Sequence, residues 1–268
     1  GARNGGDGVN ADRKELAALS PEERQAVILE RINTAGRVLA APLAQEFGVS
    51  EDSIRRDLRD LSDAGLVQRF HGGAARLVTP ALDFHRRETL HSEEKQAIGG
   101  AAAASIPHGA TLLVDSSTTI VRFVRALSPT LDVRIITTAV DVAAAALDHP
   151  SAEVIMLGGR LGRLTRSATG VAAIDAIRAL RVDYCILGTC GVAEDMTLRA
   201  DDYEDALLKS AMIRAANKTL LLATAEKLGQ TATYEVAPVS MISTLFTSSK
   251  NTAILKAIRD VGIDVEAV

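Results

Sequence analysis

The stretch RVLAAPLAQEFGVSEDSIRRDLRDLSDAGLVQRFHGGA, residues 37–74, decides how the N-terminal part of this chain folds. Leu43, Ala44 and Phe47 mark one apolar face of a short helix from about Ala41. Gly48 ends it, because a residue without a Cβ takes the left-handed conformation of a tight turn at little cost. Val49 then points inward and Ser50 caps the next helix, where Glu51 and Asp52 suit the positive end of the dipole. Ile54, Leu58 and Leu61 recur at i, i+4 and i+7 and form its buried stripe, and Gly65 stops it. Residues 66–69 have strand character, His71-Gly72-Gly73-Ala74 supplies a flexible tip, and residues 75–78 return as a second strand.

Upstream, Ser20-Pro21-Glu22-Glu23 places a capping hydroxyl, a proline at the first helical position and a glutamate that reaches back to the cap. A helix starts there, buries Val27, Ile28 and Ile32, and stops near residue 34 before Gly36. Three helices with a tight turn between the second and third, followed by a hairpin, is a winged helix-turn-helix, a layout that offers one helix to the major groove. With the apolar stripe inward, the opposite face of the third helix carries Asp52, Ser53, Arg55, Arg56, Arg59 and Asp60. Arginine bonds a guanine edge with two parallel hydrogen bonds and serine is a short, adaptable partner, so Ser53 and Arg56 are the base-contact candidates. Arg55 and Arg59 suit phosphates. The competing reading makes this a solvated face of ion pairs between those arginines and Asp52, Asp57, Asp60 and Asp63.

Outward from this segment, residues 1–19 read as a disordered tail, residues 20–78 as the winged domain and residues 79–93, polar with Pro80 and Arg86-Arg87, as a linker. From residue 94 to 268, short β-branched or Leu-rich runs alternate with Ala-rich helical ones. The strand candidates are 111–114, 133–137, 154–157, 184–187, 219–223 and 241–246. Strands alternating with helices imply a larger α/β domain whose mostly parallel sheet is covered on both faces. The composition agrees. Of 268 residues, 47% are hydrophobic and only 3% aromatic, so the cores are built from Ala, Val, Leu and Ile.

The same composition excludes several classes. No run of eighteen apolar residues occurs and the N-terminus has no secretory pattern, which points to a cytoplasmic protein with no membrane partner. Cys185 and Cys190 stand without a histidine or further cysteine beside them, so neither a metal site nor a cofactor is expected. A net charge of −4 does not advertise nucleic-acid binding, which leaves any case for DNA to local geometry.

The motifs of residues 37–74 resemble the DNA-binding domain of the DeoR family of bacterial repressors: Phe-Gly-Val-Ser, Ser-Ile-Arg-Arg-Asp-Leu, Leu-x-x-x-Gly and Arg-x-His-Gly-Gly-Ala. The resemblance implies that Ser53, Arg55 and Arg56 lie at double-stranded operator DNA, with Arg69 and His71 on the wing and the wing glycines letting the backbone approach the duplex. Residues 94–268 resemble the family's effector domain more loosely, a fold shared with ribose-5-phosphate isomerase and CoA transferases. Its loops here are Asp115-Ser116-Ser117-Thr118-Thr119, Gly158-Gly159 and the turn from Gly188, with Lys209 and Lys227. The implied effector is a phosphorylated sugar. Ligands of open α/β sheets bind beyond the carboxyl ends of the strands, where Ser117, Thr118 and Thr119 can cradle an anion, Lys209 and Lys227 can neutralise it, and Asp115 or Glu204 can bond hydroxyls. Thr118 and Thr119 are also readable as helix caps, and Gly158-Gly159 as a plain turn. Ser117, Thr138 and Thr224 depart from the family pattern in these loops, where Gly, Asn and Asp are usual.

The function implied is a transcriptional regulator, a repressor of a carbohydrate operon released by an anionic metabolite, acting as a homodimer or a dimer of dimers. The alternative is a sugar-phosphate isomerase with an accessory winged domain, its base and stabiliser drawn from Asp115, Glu204 and Lys209. A third reading, a winged domain that binds only protein, is disfavoured by Arg55, Arg56, Arg59 and Arg69.

Overall fold

The structure, a computed structural model, describes residues 16–76, 84–163 and 165–268. Its first helix, α1 (Pro21–Ala35), begins as the sequence requires: the Ser20 hydroxyl accepts from Glu23 N, the Glu23 carboxylate accepts from Ser20 N, and Pro21 opens the first turn. α2 (Ala40–Phe47) ends at Gly48 with φ +63, and α3 (Glu51–Asp63) is capped by Ser50. Ile54, Leu58 and Leu61 of α3 pack with Ile28 and Ile32 of α1 and Phe47 of α2 in one core. Leu16 and Leu19 also pack on that core, so the tail expected over 1–19 ends earlier; residues 1–15 lie outside the described residues.

The wing is tighter than its sequence suggests. β2 (Val67–Phe70) and β3 (Gly73–Arg76) pair antiparallel, so the tip is His71-Gly72 alone and the return strand begins two residues earlier than expected. A strand the sequence pattern did not show, β1 (Arg37–Leu39), pairs with β3 on its other side. Its three residues are too few to register as an alternation. This pairing explains Gly73: a Cβ there would lie 2.1 Å from the Val38 carbonyl oxygen, so the glycine serves the packing of β1 against the wing.

The chain divides into units at Gly1–Val78 and Thr79–Val268. Residues 77–78 of the expected return strand and 79–83 of the expected linker lie outside the described residues. The rest of it is helical: α4 (Phe84–Thr89) is followed by α5 (Ser92–Ala104), which starts two residues before the boundary expected for the effector domain. Polarity there reflects side chains used for fastening. Arg122 donates to the Glu88 carbonyl and to Ser92 Oγ, Arg125 pairs with Glu88, and Lys95 Nζ donates to the Arg87 carbonyl at 2.5 Å.

The larger unit is a seven-stranded parallel sheet. Its strands are β4 (Ala110–Val114), β5 (Val133–Thr137), β6 (Glu153–Met156), β9 (Val182–Leu187), β12 (Ala216–Ala223), β14 (Thr244–Thr247) and β15 (Asp264–Ala267), in the order β15-β14-β12-β9-β4-β5-β6. The last strand was not anticipated, and residues 241–243 of the sixth candidate lie in a 3-10 turn and the step after it. Alternate residues serve opposite faces. Leu112, Val114, Ile135 and Leu220 meet α5, α6 (Thr118–Ala126) and α7 (Val140–Leu147), while Leu113, Cys185, Leu187 and Leu221 meet α8 (Val171–Arg178), α9 (Tyr203–Ala215) and α10 (Thr252–Asp260). Smaller antiparallel pieces complete the fold: β7 (Arg160–Leu161) with β8 (Ala168–Thr169), and β10 (Gly191–Val192) with β11 (Thr197–Ala200) and β13 (Tyr234–Pro238).

Close packing of α5 on α6 depends on Gly99, where a Cβ would fall 2.7 Å from Phe123 N and 3.1 Å from its Cα. Gly99→Ala is expected to lower stability by about 1–3 kcal/mol through that overlap, despite a helix-propensity gain of up to about 1 kcal/mol. A thermal midpoint equal to or above that of the parent would contradict the contact.

Candidate DNA interface and effector site

The outer face of α3 divides into engaged and free groups. Ser53 Oγ lies 2.9 Å from the Ser50 hydroxyl, within the cap itself. Arg55 faces Asp52 at 3.6 Å, as the ion-pair reading anticipated, and is held more closely by Glu51 at 2.6 Å, which that reading did not include. Arg56 and Arg59 are exposed and form no ion pair with a described residue. On the wing, Arg69 and His71 are exposed as well. Half of the ion-pair reading thus fails where it matters: the cations best placed to reach a base edge or a phosphate are unpartnered.

Asp57 does not belong to that solvated face. It is buried, its Oδ2 accepting from Arg24 Nε at 2.6 Å and its Oδ1 from Gln25 Nε2 at 3.2 Å. Both donors sit on α1, so the pair fixes the roll of α3 about its own axis and hence which residues face out. The spacing of Asp57 beside Leu58 in the buried stripe was the available signal.

In the larger unit, the chain runs from β4 outward through β5 to β6, then returns to the other side of β4 as β9 and continues through β12 to β15. Loops after β4 and β9 therefore diverge, and the crevice between them is where ligands of such sheets bind. The structure brings Asp115, Ser117, Gly188 and Lys209 together at this point. Asp115, fully buried at the end of β4, accepts on Oδ2 from Gly188 N at 3.0 Å and from the Lys209 ammonium. Its Oδ1 is buried and has no hydrogen-bond partner. A Cβ at Gly188 would stand 3.3 Å from that of Ser117.

Lys209 is buried rather than solvated, with Asp205 one helical turn back at 3.8 Å. Burial works against its charge, but the Asp115 and Asp205 carboxylates outweigh it and hold the ammonium above its ordinary value. Asp205, which the sequence reading passed over, is pushed up to about 6 by burial, against the pull of Lys209 and with a further push from Asp115. Its i−4 spacing from Lys209 could have marked it. Cys190 lies beside the same cluster, and burial raises its thiol, which keeps it protonated and poorly nucleophilic.

The remaining candidates ring the same end of the sheet. Ser117, rather than Thr118 or Thr119, caps α6, its Oγ accepting from Ile120 N at 3.0 Å; both threonines are buried in the first turn. Thr138, after β5, is buried with its hydroxyl 3.2 Å from that of Ser167. Gly159 stands at φ +157, where a Cβ would lie 2.8 Å from the Thr169 carbonyl oxygen, so Gly158-Gly159 is more than a plain turn. Glu204, expected to meet a ligand hydroxyl, already accepts from Arg160 and from Thr169 Oγ1 at 3.1 Å. Lys227 stands in the 3-10 turn after β12 with Glu226 at 3.8 Å. Its charge helps burial push Lys95 down to about 8.

Because the folded chain favours the protonated Asp205, its stabilising contribution is complete below the carboxyl's unfolded value and is lost as pH rises through about 6. Asp205→Asn removes the ionisation, so its thermal midpoint relative to the parent is expected to climb between pH 5 and pH 7.5. A constant difference across that window would refute the raised value.

Comparisons with known proteins agree with this division. The DeoR-like helix-turn-helix domain matches residues 24–79, and the DeoR C terminal sensor domain matches residues 90–249. The glycerol-3-phosphate regulon repressor of Escherichia coli is 31% identical, over 86% of this chain and 92% of that protein. The HTH-type transcriptional repressor CsqR of the same organism is 33% identical, over 90% of this chain and 93% of that protein. Among solved structures, ribose 5-phosphate isomerase A of Methanocaldococcus jannaschii aligns with 51% of this chain and 54% of its own at 17% identity and a TM-score of 0.38.

Proposed function

The chain belongs to the DeoR family of transcriptional repressors, and from that premise we propose how its two units divide the work. It is a DNA-binding repressor. The N-terminal unit reads double-stranded operator DNA with α3 in the major groove, Arg56 and Ser53 at base edges, Arg55 and Arg59 at phosphates, and Arg69 and His71 from the wing. Arg55 exchanges Glu51 and Asp52 for a phosphate on binding, and the Ser53 hydroxyl leaves Ser50. The protein works in the cytoplasm as a homodimer or dimer of dimers, since one winged domain buries too little surface for tight operator binding.

The C-terminal unit takes a phosphorylated sugar or related anionic polyol at the crevice between β4 and β9. One observation carries this reading: the buried, unpartnered Oδ1 of Asp115 lies beside the first turn of α6. A ligand hydroxyl that donates to Oδ1 satisfies it, while the anionic end meets the N–H groups of Thr118 and Thr119. Lys209 is already neutralised by Asp115 and Asp205, which leaves Lys227 as the cation for the anion. Ser117 narrows the cradle, because its hydroxyl occupies the Ile120 N–H that a phosphate would otherwise share. The enzyme reading loses its base here: Asp115 is tied to Lys209 and Gly188, and Glu204 to Arg160 and Thr169. The effector releases the operator by preferring one of two states of the repressor.

Two measurements test the assignment. Arg56→Ala is expected to weaken specific operator binding by roughly 1–3 kcal/mol per half-site with an unchanged melting curve; unchanged affinity at matched salt would remove Arg56 from the base edge. Lys227→Ala is expected to need about ten-fold more sugar phosphate for operator release while binding DNA normally without it. Equal release midpoints would take Lys227 out of the site, and a neutral best ligand in a thermal-shift screen would end the anion reading.

A further inference from the structure

α9 has two apolar faces. Asp205, Leu208, Lys209 and Met212 point into the sensor core, and Tyr203, Leu207, Ser210 and Arg214, spaced at i, i+4, i+7 and i+11, form the opposite stripe. That outer stripe is not dressed for water. Tyr203 is 58% exposed and Leu207 43%; the Tyr203 ring meets Tyr234 edge-on with centroids 5.5 Å apart, and Val171 opens the neighbouring α8 at 75% exposure. Between α8 and α9 runs a groove of about 440 Å³ with Ile174, Leu207 and Ala211 along it and Arg178, Arg181 and Arg214 at its side. Tyrosine and arginine around an apolar centre is the composition of protein interfaces rather than of free surface.

Charge along the stripe identifies what covers it. Asp202 stands at the N-terminal end of α9, where Glu204 is already engaged by Arg160 and Thr169, and Arg214 stands at the C-terminal end. Arg178 already pairs with Asp175, and Arg181 donates to the carbonyls of Arg178 and Leu180, so Arg214 is the groove's cation without an ion pair among the described residues. Asp202 spends Oδ1 on the Asp205 N–H at 2.9 Å and keeps a charge to offer. A second α9 laid antiparallel sets acid on base at both ends and opposes the two helix dipoles. One surface can satisfy itself in this way only about a two-fold axis.

We propose that this face docks on the same face of a second copy of the chain, with Leu207 of each copy entering the α8/α9 groove of the other and Arg214 facing Asp202 across the axis. The inference deepens the homodimer reading given above by naming the surface that forms it; a monomeric parent ends both, whereas an unchanged association of the Leu207 variant removes this surface alone, and the contact is measured without DNA or effector.

Sedimentation equilibrium of the full chain at micromolar concentration, with no DNA or effector present, is expected to show a dimer or an even multiple of it. Leu207→Glu is expected to weaken the two-fold contact by about 30-fold or more, the loss of a central interface residue. Arg214→Glu is expected to weaken it less, and less again at high salt. Ser210→Cys, beside the axis, is expected to give a disulfide-linked dimer on mild oxidation, and this arm stands even if the Leu207 variant fails to fold. A monomeric parent, an unchanged association of a normally folded Leu207→Glu, or absence of the Ser210→Cys cross-link would each overturn the proposal.

Discussion

A lysine ammonium buried between two carboxylates is the constraint on which the larger unit turns. Lys209 comes from the middle of α9, Asp115 from the end of β4 and Asp205 from the turn of α9 above it, so one cation joins a helix to an interior strand of the sheet. Removing either principal partner leaves an uncompensated charge in the interior, typically worth about 3–5 kcal/mol of stability. The arrangement also has three charges of which two are negative. The Gly188 N–H takes part of the excess, the raised Asp205 carboxyl takes another part, and Asp115 Oδ1 is left with nothing. What holds the fold at this point is therefore also what makes it a place for a hydroxyl donor.

The smaller unit uses the same device for a different end. Arg24 and Asp57 form a buried pair between α1 and α3, and their effect is rotational: with Asp57 turned inward, Arg56 and Arg59 can only turn outward. A buried ion pair is weak evidence for stability, but it specifies orientation well, because a small roll would strand both charges. The arginines proposed to read DNA are thus presented by a buried one, Arg24.

α9 links the two properties of the larger unit. Its inner stripe carries Asp205 and Lys209 beside the proposed effector site, and its outer stripe carries Tyr203, Leu207 and Arg214 of the proposed two-fold contact. On the two proposals made above, a ligand that changes how Lys209 and Asp205 share their charges would act on the helix that packs against the second copy.

The sequence by itself determined the principal elements: the three helices and hairpin of the smaller unit and the strand–helix alternation of the larger one. The capping box at Ser20, the glycine stop at Gly48 and the Ile54/Leu58/Leu61 stripe act over three to seven residues, within reach of local propensity, and each element formed where those signals lie. Six strands of the parallel sheet were legible because burial on both faces demands continuous apolar runs, and β15, exposed at the sheet edge, was not. The loop residues gathered at the strand ends were also legible as a set, since topology alone puts them at one edge. Tertiary structure decided which of them are free. That Asp57 turns inward, that Lys209 is neutralised before any anion arrives, that Glu204 is spent on Arg160 and Thr169, and that Gly73 answers to Val38 are all consequences of partners 33 to 94 residues away or of a strand three residues long. Charge and hydrogen bonding are settled by proximity in space, and no pattern along the chain encodes the distance between atoms that meet only after folding.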